Sequence, residues 1–168
     1  MPLFCVAVLA GFASFDRTSV EETGREVETD KMKRIVQKFY DQLSDPNSPQ
    51  ADKMTQKYMH EDWLSTPQPI GGPGRAGFVQ TLAIFGGMIP DLNWDVKEMI
   101  VDGNRVTVRS IATGTPNAPG GEFFGVVTKG EKSFEIMTID IHTVENNKLV
   151  RSYHVEDWLT ATQQVAGQ

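Results

Sequence analysis

Polar side chains recur at every second position of the last two predicted strands, and an aspartate and two histidines are among them. These strands are residues 133–144 and 148–155, where the residue pattern has a period of two. We predict a three-residue loop at 145–147, because Asn147 tolerates the left-handed conformation that such a loop requires at its last position. In that register one face of the hairpin carries Thr138, Asp140, His142, Val150, Ser152 and His154.

Asp140 and His154 form the pair on this face that we predict to transfer a proton. The predicted register places them diagonally across the hairpin, with backbones about 7–8 Å apart, so their side chains could meet directly or through one water. A two-residue turn would instead put them on opposite faces. We predict both as catalytic residues: His154 would act as a base, while Asp140 orients the imidazole and favours its cation.

The polar face itself has two interpretations. A half-exposed sheet normally keeps polar side chains on its solvent face, and this requires no function. If helices cover that face instead, the fold encloses a cavity lined by ionisable groups, which are typical of functional sites. His142 is close to the hairpin turn and fits either the cavity lining or the surface.

Helices predicted ahead of the strands would provide that cover. Apolar residues from Met32 to Leu43 recur at helical spacing, and the period changes to two from Leu92 onward. The predicted helices are residues 32–43, 51–58, 75–89 and 157–165. The other predicted strands are residues 92–100, 106–113 and, inside a long loop rich in Gly and Pro, 123–127. Helices followed by strands indicate an α+β fold with one curved sheet.

The composition is that of one globular domain. The chain has 168 residues, of which 39% are hydrophobic and 23% charged. A net charge of −6 opposes attraction to nucleic acids or anionic lipids. A single cysteine, Cys5, excludes an internal disulfide, and no zinc-ligand spacing surrounds it. We therefore predict no nucleic-acid partner, no disulfide and no structural zinc site.

Residues 1–30 are predicted to be an extension ahead of a domain at 31–168. The stretch from Leu3 to Phe15 is nearly all apolar and is followed by a charged segment. It is too short to span a bilayer. It also lacks the basic residues that precede the apolar core of an export signal, although it has small residues that could serve a cleavage site. We predict a cytoplasmic protein, with export as the alternative if this stretch acts as a signal.

Five segments between Met32 and Gln164 resemble, in order and spacing, the SnoaL-like polyketide cyclase, or ester cyclase, family of the nuclear-transport-factor-2-like superfamily. These segments are residues 71–78, 89–92, 101–109, 113–115 and 139–150. The resemblance implies a cone-shaped fold, in which a curved antiparallel sheet wraps about three N-terminal helices and encloses a pocket. It also implies chemistry without a metal or cofactor, since the better understood members close a carbocycle by an intramolecular aldol reaction.

The same resemblance places two residue types in exchanged positions. The essential acid/base carboxylate of the cyclases falls at His154, and a pocket histidine of theirs falls at Asp140. A His/Asp pair could still transfer protons, but the exchange separates this chain from the cyclases on the residues that matter most.

Further residues are predicted to contact a small-molecule ligand, and each has a structural alternative. Tyr40 belongs to the first helix stripe and Trp63 ends a predicted extended segment, so both could be core residues instead. Arg109 could pair with a carboxylate across the sheet surface. Glu156 and Asp157 are predicted to cap the last helix. The predicted substrate-binding set is Tyr40, Trp63, Phe78, His142 and Ser152.

An apolar stripe on the opposite, outer face of the hairpin predicts self-association. Ile139, Ile141, Tyr153 and Val155 form this stripe. A contiguous apolar patch of this size on a small domain usually needs covering. We therefore predict a homodimer packed through the outer sheet face.

Three functions are consistent with these patterns. The first is a cofactor-independent acid/base enzyme, a cyclase, isomerase or hydrolase, acting on a small, largely apolar carbonyl or ester substrate. The second is a non-catalytic small-molecule binding protein with the same cone, and the third is an accessory module with a vestigial pocket. A deep cavity with Asp140 and His154 in contact favours the first, an apolar cavity without them the second, and a filled cavity the third.

Overall fold

The computed structural model describes residues 17–117, 121–128 and 131–166, so the apolar N-terminal stretch lies outside the described residues. The helices are α1 (Arg17–Leu43), α2 (Ala51–Tyr58), α3 (Gly74–Met88) and α4 (Trp158–Ala166). The strands are β1 (Met59–Thr66), β2 (Asn93–Asp102), β3 (Arg105–Gly114), β4 (Glu122–Phe123), β5 (Val126–Val127), β6 (Phe134–Glu145) and β7 (Lys148–Glu156). The α+β prediction is confirmed.

Two elements differ from the sequence prediction. Helix α1 begins at Arg17, well before the apolar stripe that starts at Met32. The predicted strand at 123–127 is wrong, since a turn divides it into the short hairpin of β4 and β5. Phe124 and Gly125 have positive φ angles of 48° and 81°, and this backbone conformation ends an extended strand.

The main sheet has five strands in the order β1-β7-β6-β3-β2. Strand β1 pairs with β7 in parallel, whereas the other neighbours are antiparallel. The sheet is therefore mixed and not wholly antiparallel as predicted. The first and last strands of the chain meet in the parallel pair, which places the loop after β1 beside the polar residues of β7.

The β6–β7 hairpin corrects the predicted loop but keeps the predicted face. Asn146 and Asn147 both have left-handed backbones, with φ of 50° and 62°, so the connection is a two-residue turn. Val144 pairs with Leu149 and Thr143 pairs with Arg151, which leaves Val150 as an extra residue in a β-bulge. The bulge reverses the alternation of β7. Asp140 and His154 consequently lie directly opposite each other on one face.

A second bulge interrupts β2 between Val96 and Glu98. Trp94 faces the core before the bulge, whereas Ile100 after it is 57% exposed. The regular alternation predicted from Trp94 to Ile100 is therefore wrong beyond Val96. Bulges bend and twist a strand, and these two curve the sheet around the helices.

The apolar stripe of α1 packs against the inner sheet face, as its spacing predicts. Val36 is fully buried, and Phe39 stacks on Phe78 of α3 with ring centroids 4.8 Å apart. Each such side chain contributes roughly 1.5–3 kcal/mol by burial. The inner face of the hairpin therefore looks into the protein and not into solvent. Among the residues that the structure describes, no helix combines the length and apolar character needed to cross a bilayer.

Candidate active site

A cavity of about 220 Å³ lies between the inner sheet face and the helices. Aromatic rings form a large part of its wall and belong to Phe39, Trp63, Phe78, Phe85, Trp94, Phe124 and Trp158. One side is polar and is formed by β6 and β7, which contribute Asp140, Ser152, His154 and Glu156. Residues 67–70, in the loop after β1, border the cavity where Ile70 is exposed.

Asp140 occupies the middle of β6 and is only 3% exposed. The hydroxyl of Tyr40 donates to its Oδ2 atom at 2.8 Å, and the hydroxyl of Thr138 approaches the same oxygen at 3.5 Å. Both hydrogen bonds that reach Asp140 from the described side chains go to Oδ2, which leaves Oδ1 for a ligand in the cavity. Burial raises the pKa of Asp140 to about 7, although the hydrogen bond from Tyr40 opposes this rise.

His154 is bonded through both of its ring nitrogens. Nδ1 lies 2.7 Å from Oε1 of Glu156, and Nε2 lies 2.9 Å from the carbonyl oxygen of Pro67. A carbonyl can only accept, so Nε2 carries a proton. Burial alone would lower the pKa of His154, but the hydrogen bond and charge of Glu156 raise it above its ordinary value. The arrangement is that of an imidazolium beside a carboxylate.

The structure does not show the predicted arrangement in which Asp140 orients the imidazole of His154. The imidazole is oriented by Glu156 and Pro67, and no hydrogen bond joins it to Asp140. Their polar atoms lie within 4.8 Å, a gap that one water can bridge. With both nitrogens donating, His154 has no lone pair with which to take a proton. Asp140 is therefore the better base of the two.

Glu156 is the site residue that the sequence analysis missed. Asp157 does cap α4 as predicted, because its carboxylate accepts from both the backbone N–H and the hydroxyl of Thr160. Glu156 instead points to the inner face with Ser152 and His154. The period of two along β7 already carried this signal, since residues 152, 154 and 156 share a face.

The predicted substrate-binding residues fall into two groups. Trp63, Phe78 and Ser152 line the cavity. Tyr40 and His142 are fully buried behind Asp140 and are not among the lining residues. Burial lowers the pKa of His142 to about 3, so its imidazole is neutral.

Two further polar residues of the sheet, Arg109 and His60, have surface or structural roles. Arg109 lies 3.4 Å from Glu98 in an exposed cross-strand ion pair, which is the surface alternative. His60 is exposed on β1, and its Nδ1 accepts from the backbone N–H of Asp62.

One group of side chains in the described residues has the composition of a metal site. Asp140, His154 and Glu156 each offer one ligand atom, all within 4.8 Å of one another. A metal ion would need a lone pair on a His154 nitrogen. A metal ion there would have to displace the proton that Nδ1 of His154 shares with Oε1 of Glu156.

Comparison with known proteins agrees with this fold. TsrD from Streptomyces laurentii has a TM-score of 0.70 at 16% identity, over 83% of this chain and 97% of that chain. A protein of Bacillus cereus ATCC 10987 that is named as a polyketide cyclase has a TM-score of 0.65 at 24% identity, over 80% of each chain. A SnoaL-like polyketide cyclase from Agrobacterium tumefaciens has a TM-score of 0.62 at 19% identity, over 77% of this chain and 93% of that chain.

The sequence comparisons place the chain more closely. No curated protein matches it. The family model for SnoaL-like polyketide cyclases matches residues 34–165, which include α2, α3, the whole sheet and the polar wall of the cavity. The chain therefore belongs to the SnoaL-like polyketide cyclase family.

Proposed function

We propose that the protein is a cofactor-independent acid/base enzyme that acts on a small, largely apolar carbonyl or ester substrate. One observation carries the proposal. Asp140 is a buried carboxyl group with one free oxygen on an aromatic-lined cavity, beside a histidine cation. A general base works best when its pKa is near the working pH, and burial raises the pKa of Asp140 to about 7.

The proposed reaction begins with proton removal by Asp140. Oδ1 takes a proton from the carbon next to a carbonyl, and the electron pair of the broken C–H bond moves onto the carbonyl oxygen. The positive charge of His154 stabilises the enolate that forms. In an isomerase the proton returns to another carbon. In a cyclase the enolate carbon attacks a second carbonyl of the same molecule, and the alkoxide that forms takes the proton back from Asp140. Relatives named as polyketide cyclases support the second course.

The aromatic wall fits the substrate class. Planar rings offer apolar contact to a conjugated or cyclic substrate, and the polar groups lie on one side of the cavity, where a single carbonyl would be bound. An accessory module with a vestigial pocket would have a filled cavity. The cavity of about 220 Å³ does not support that alternative. A binding protein without turnover is separated from an enzyme by the experiment below.

The test is a panel of enolisable ketones and lactones incubated with wild type, Asp140→Asn and His154→Asn, with substrate depletion followed at several pH values. We expect Asp140→Asn to lose about 10²–10⁴-fold in rate, as is typical for a positioned base. The double variant should be little worse than the worse single variant, because the two groups act on one transition state. Asp102→Asn, at the exposed end of β2, is the matched control. Equal rates in all variants would refute the catalytic proposal.

We also propose three features of the whole protein that follow from its sequence. The outer sheet face forms a homodimer interface, supported by the exposure of Ile139, Tyr153 and Val155. The family domain begins near residue 31. We propose a cytoplasmic location, with export as the alternative if residues 1–15 act as a signal.

A further inference from the structure

Four hydrogen bonds in series join the cavity wall to Asp140 through the protein interior. Nε1 of Trp63 lies 3.0 Å from Oγ of Ser152, and that oxygen lies 2.8 Å from Nδ1 of His142. Nε2 of His142 lies 2.9 Å from the Tyr40 hydroxyl, which lies 2.8 Å from Oδ2 of Asp140. All five side chains are at most 3% exposed, so bulk solvent does not satisfy their polar groups.

The direction of every bond follows from its ends. An indole N–H only donates, so Ser152 accepts from Trp63 and its own hydrogen is free for Nδ1 of His142. A neutral imidazole that accepts at Nδ1 carries its hydrogen on Nε2 and donates it to Tyr40. The Tyr40 hydroxyl then donates to Asp140. In this direction every donor in the series has an acceptor.

The reverse direction leaves a defect. If Asp140 carried a proton on Oδ2 and donated it to Tyr40, then Tyr40 would donate to Nε2 and His142 would donate from Nδ1 to Ser152. The hydroxyl of Ser152 would accept from Trp63 and His142 together, and its hydrogen would have no acceptor among the described residues. An unpaired buried donor is costly, which disfavours this direction.

The series cannot carry protons to solvent. It ends at the indole of Trp63, which neither gains nor loses a proton in the working pH range. Burial lowers the pKa of His142 to about 3, and burial and the charge of Asp140 raise the pKa of Tyr40 well above its ordinary value. Both inner members therefore resist ionisation, and the series can only orient and polarise.

We propose that Tyr40, His142 and Ser152 are positioning residues, which with Trp63 form a one-way chain of hydrogen bonds that holds Oδ2 of Asp140 and leaves Oδ1 as the oxygen that exchanges protons with a ligand. The proposal rests on the proposed function for its catalytic meaning. The proton is taken up and returned at Oδ1, on the cavity side, because protonation of Oδ2 would reverse the chain. Tyr40 and His142 thus act through Asp140 and do not bind substrate.

Other groups also act on Asp140 and must be kept constant in a test. Strand β7 places Glu156 and His154 beside it, where the first raises and the second lowers its pKa. Thr138, on the same strand, receives the indole N–H of Trp94 at 3.2 Å and supports the same oxygen. Helix α1 contributes the Tyr40 hydroxyl. The informative substitutions are therefore those that alter the chain and leave these neighbours in place.

The first experiment reads the His142 tautomer by ¹⁵N NMR of the wild-type protein. We expect the neutral form with hydrogen on Nε2. A hydrogen on Nδ1 would overturn the proposal, because the chain would then point the other way. This measurement needs no substrate and no variant.

The second experiment follows the ¹³C carboxyl resonance of Asp140 through a pH titration. Tyr40→Phe should raise its pKa by about one unit, a tenfold change in proton affinity. Ser152→Ala should raise it by less and allow His142 to change tautomer. Ser65→Ala is the matched control, since Ser65 also lines the cavity but its hydroxyl has no partner in the described residues. Identical titrations of Asp140 in Ser152→Ala and Ser65→Ala would overturn the proposed chain of hydrogen bonds.

The two proposals fail separately. If the substrate panel shows no turnover while the His142 tautomer and the Asp140 titrations are as expected, the proposed acid/base function is wrong. The chain of hydrogen bonds is then confirmed as an arrangement that orients a carboxyl group toward a ligand. If turnover depends on Asp140 but the tautomer is reversed, the function stands and the chain is wrong. Circular dichroism of Tyr40→Phe distinguishes loss of the hydrogen-bond chain from unfolding of the protein.

Discussion

Replacing Asp140 with asparagine should stabilise the protein at neutral pH while it removes turnover. Burial raises the pKa of this carboxyl group from 3.8 to about 7, so the folded protein binds the proton more tightly than the unfolded chain does. Between about pH 4 and about pH 7 the folded protein therefore holds more protons, and its free energy of unfolding falls as the pH rises. Asparagine carries no charge at any of these pH values and escapes this loss.

The size of the effect follows from the pKa. Each tenfold change in proton affinity is worth about 1.4 kcal/mol, so a rise from 3.8 to about 7 corresponds to a difference on the order of 4 kcal/mol. Asp140→Asn and wild type should be similar in stability near pH 4, and the variant should be more stable near pH 8. The amide oxygen of asparagine can still accept from Tyr40, which preserves the chain behind it.

The assay is urea unfolding at a series of pH values, followed by the fluorescence of the three tryptophans. His142 and the other titrating groups are present in both proteins, so the difference in unfolding free energy isolates position 140. Asp102→Asn makes the same chemical change at an exposed site and is the control. A difference that stays constant from pH 4 to pH 8 would refute the claim that Asp140 is held in a desolvated environment.

Two further predictions concern the neighbouring cation and the outer face. Glu156→Gln should lower the pKa of His154, because it removes the carboxylate that holds the proton. A titration of the His154 ring resonances should show that the cation is lost at lower pH. An unchanged titration would mean that Pro67 alone fixes the imidazole. Val155→Asp should give a monomer in sedimentation at micromolar concentration, because Val155 is 72% exposed on the outer sheet face. The control Val127→Asp, at a valine that is 74% exposed on β5, should leave the dimer intact. A monomeric wild type would contradict the interface.

Local pattern was sufficient where the physical cause is local. The spacing from Met32 to Leu43 predicts a helix with one buried stripe, because side chains three and four apart share a face of any helix. The alternation along β6 likewise places Thr138, Asp140 and His142 on one face whatever the strand packs against. The common face of these three residues could therefore be predicted before any contact was known.

The hairpin shows where local pattern stops being sufficient. Two asparagines at the turn fit either a two- or a three-residue connection, and only the bulge at Val150 fixes which residues of β7 face Asp140. A bulge is set by how the inner face packs, since Leu149 fills the core beside the turn and Ser152 faces the cavity. The predicted face was thus correct through a different geometry.

The roles within the site were decided by contacts between distant parts of the chain. Asp140 receives its hydrogen bond from Tyr40, one hundred residues away in sequence, and His154 is held by the Pro67 carbonyl because β1 pairs in parallel with β7. The sequence alone predicted that a histidine and an aspartate share one face of the hairpin. Only the tertiary structure decided that Glu156 raises the pKa of the histidine and that burial raises the pKa of the aspartate, because desolvation and hydrogen bonding depend on which groups surround a residue in space.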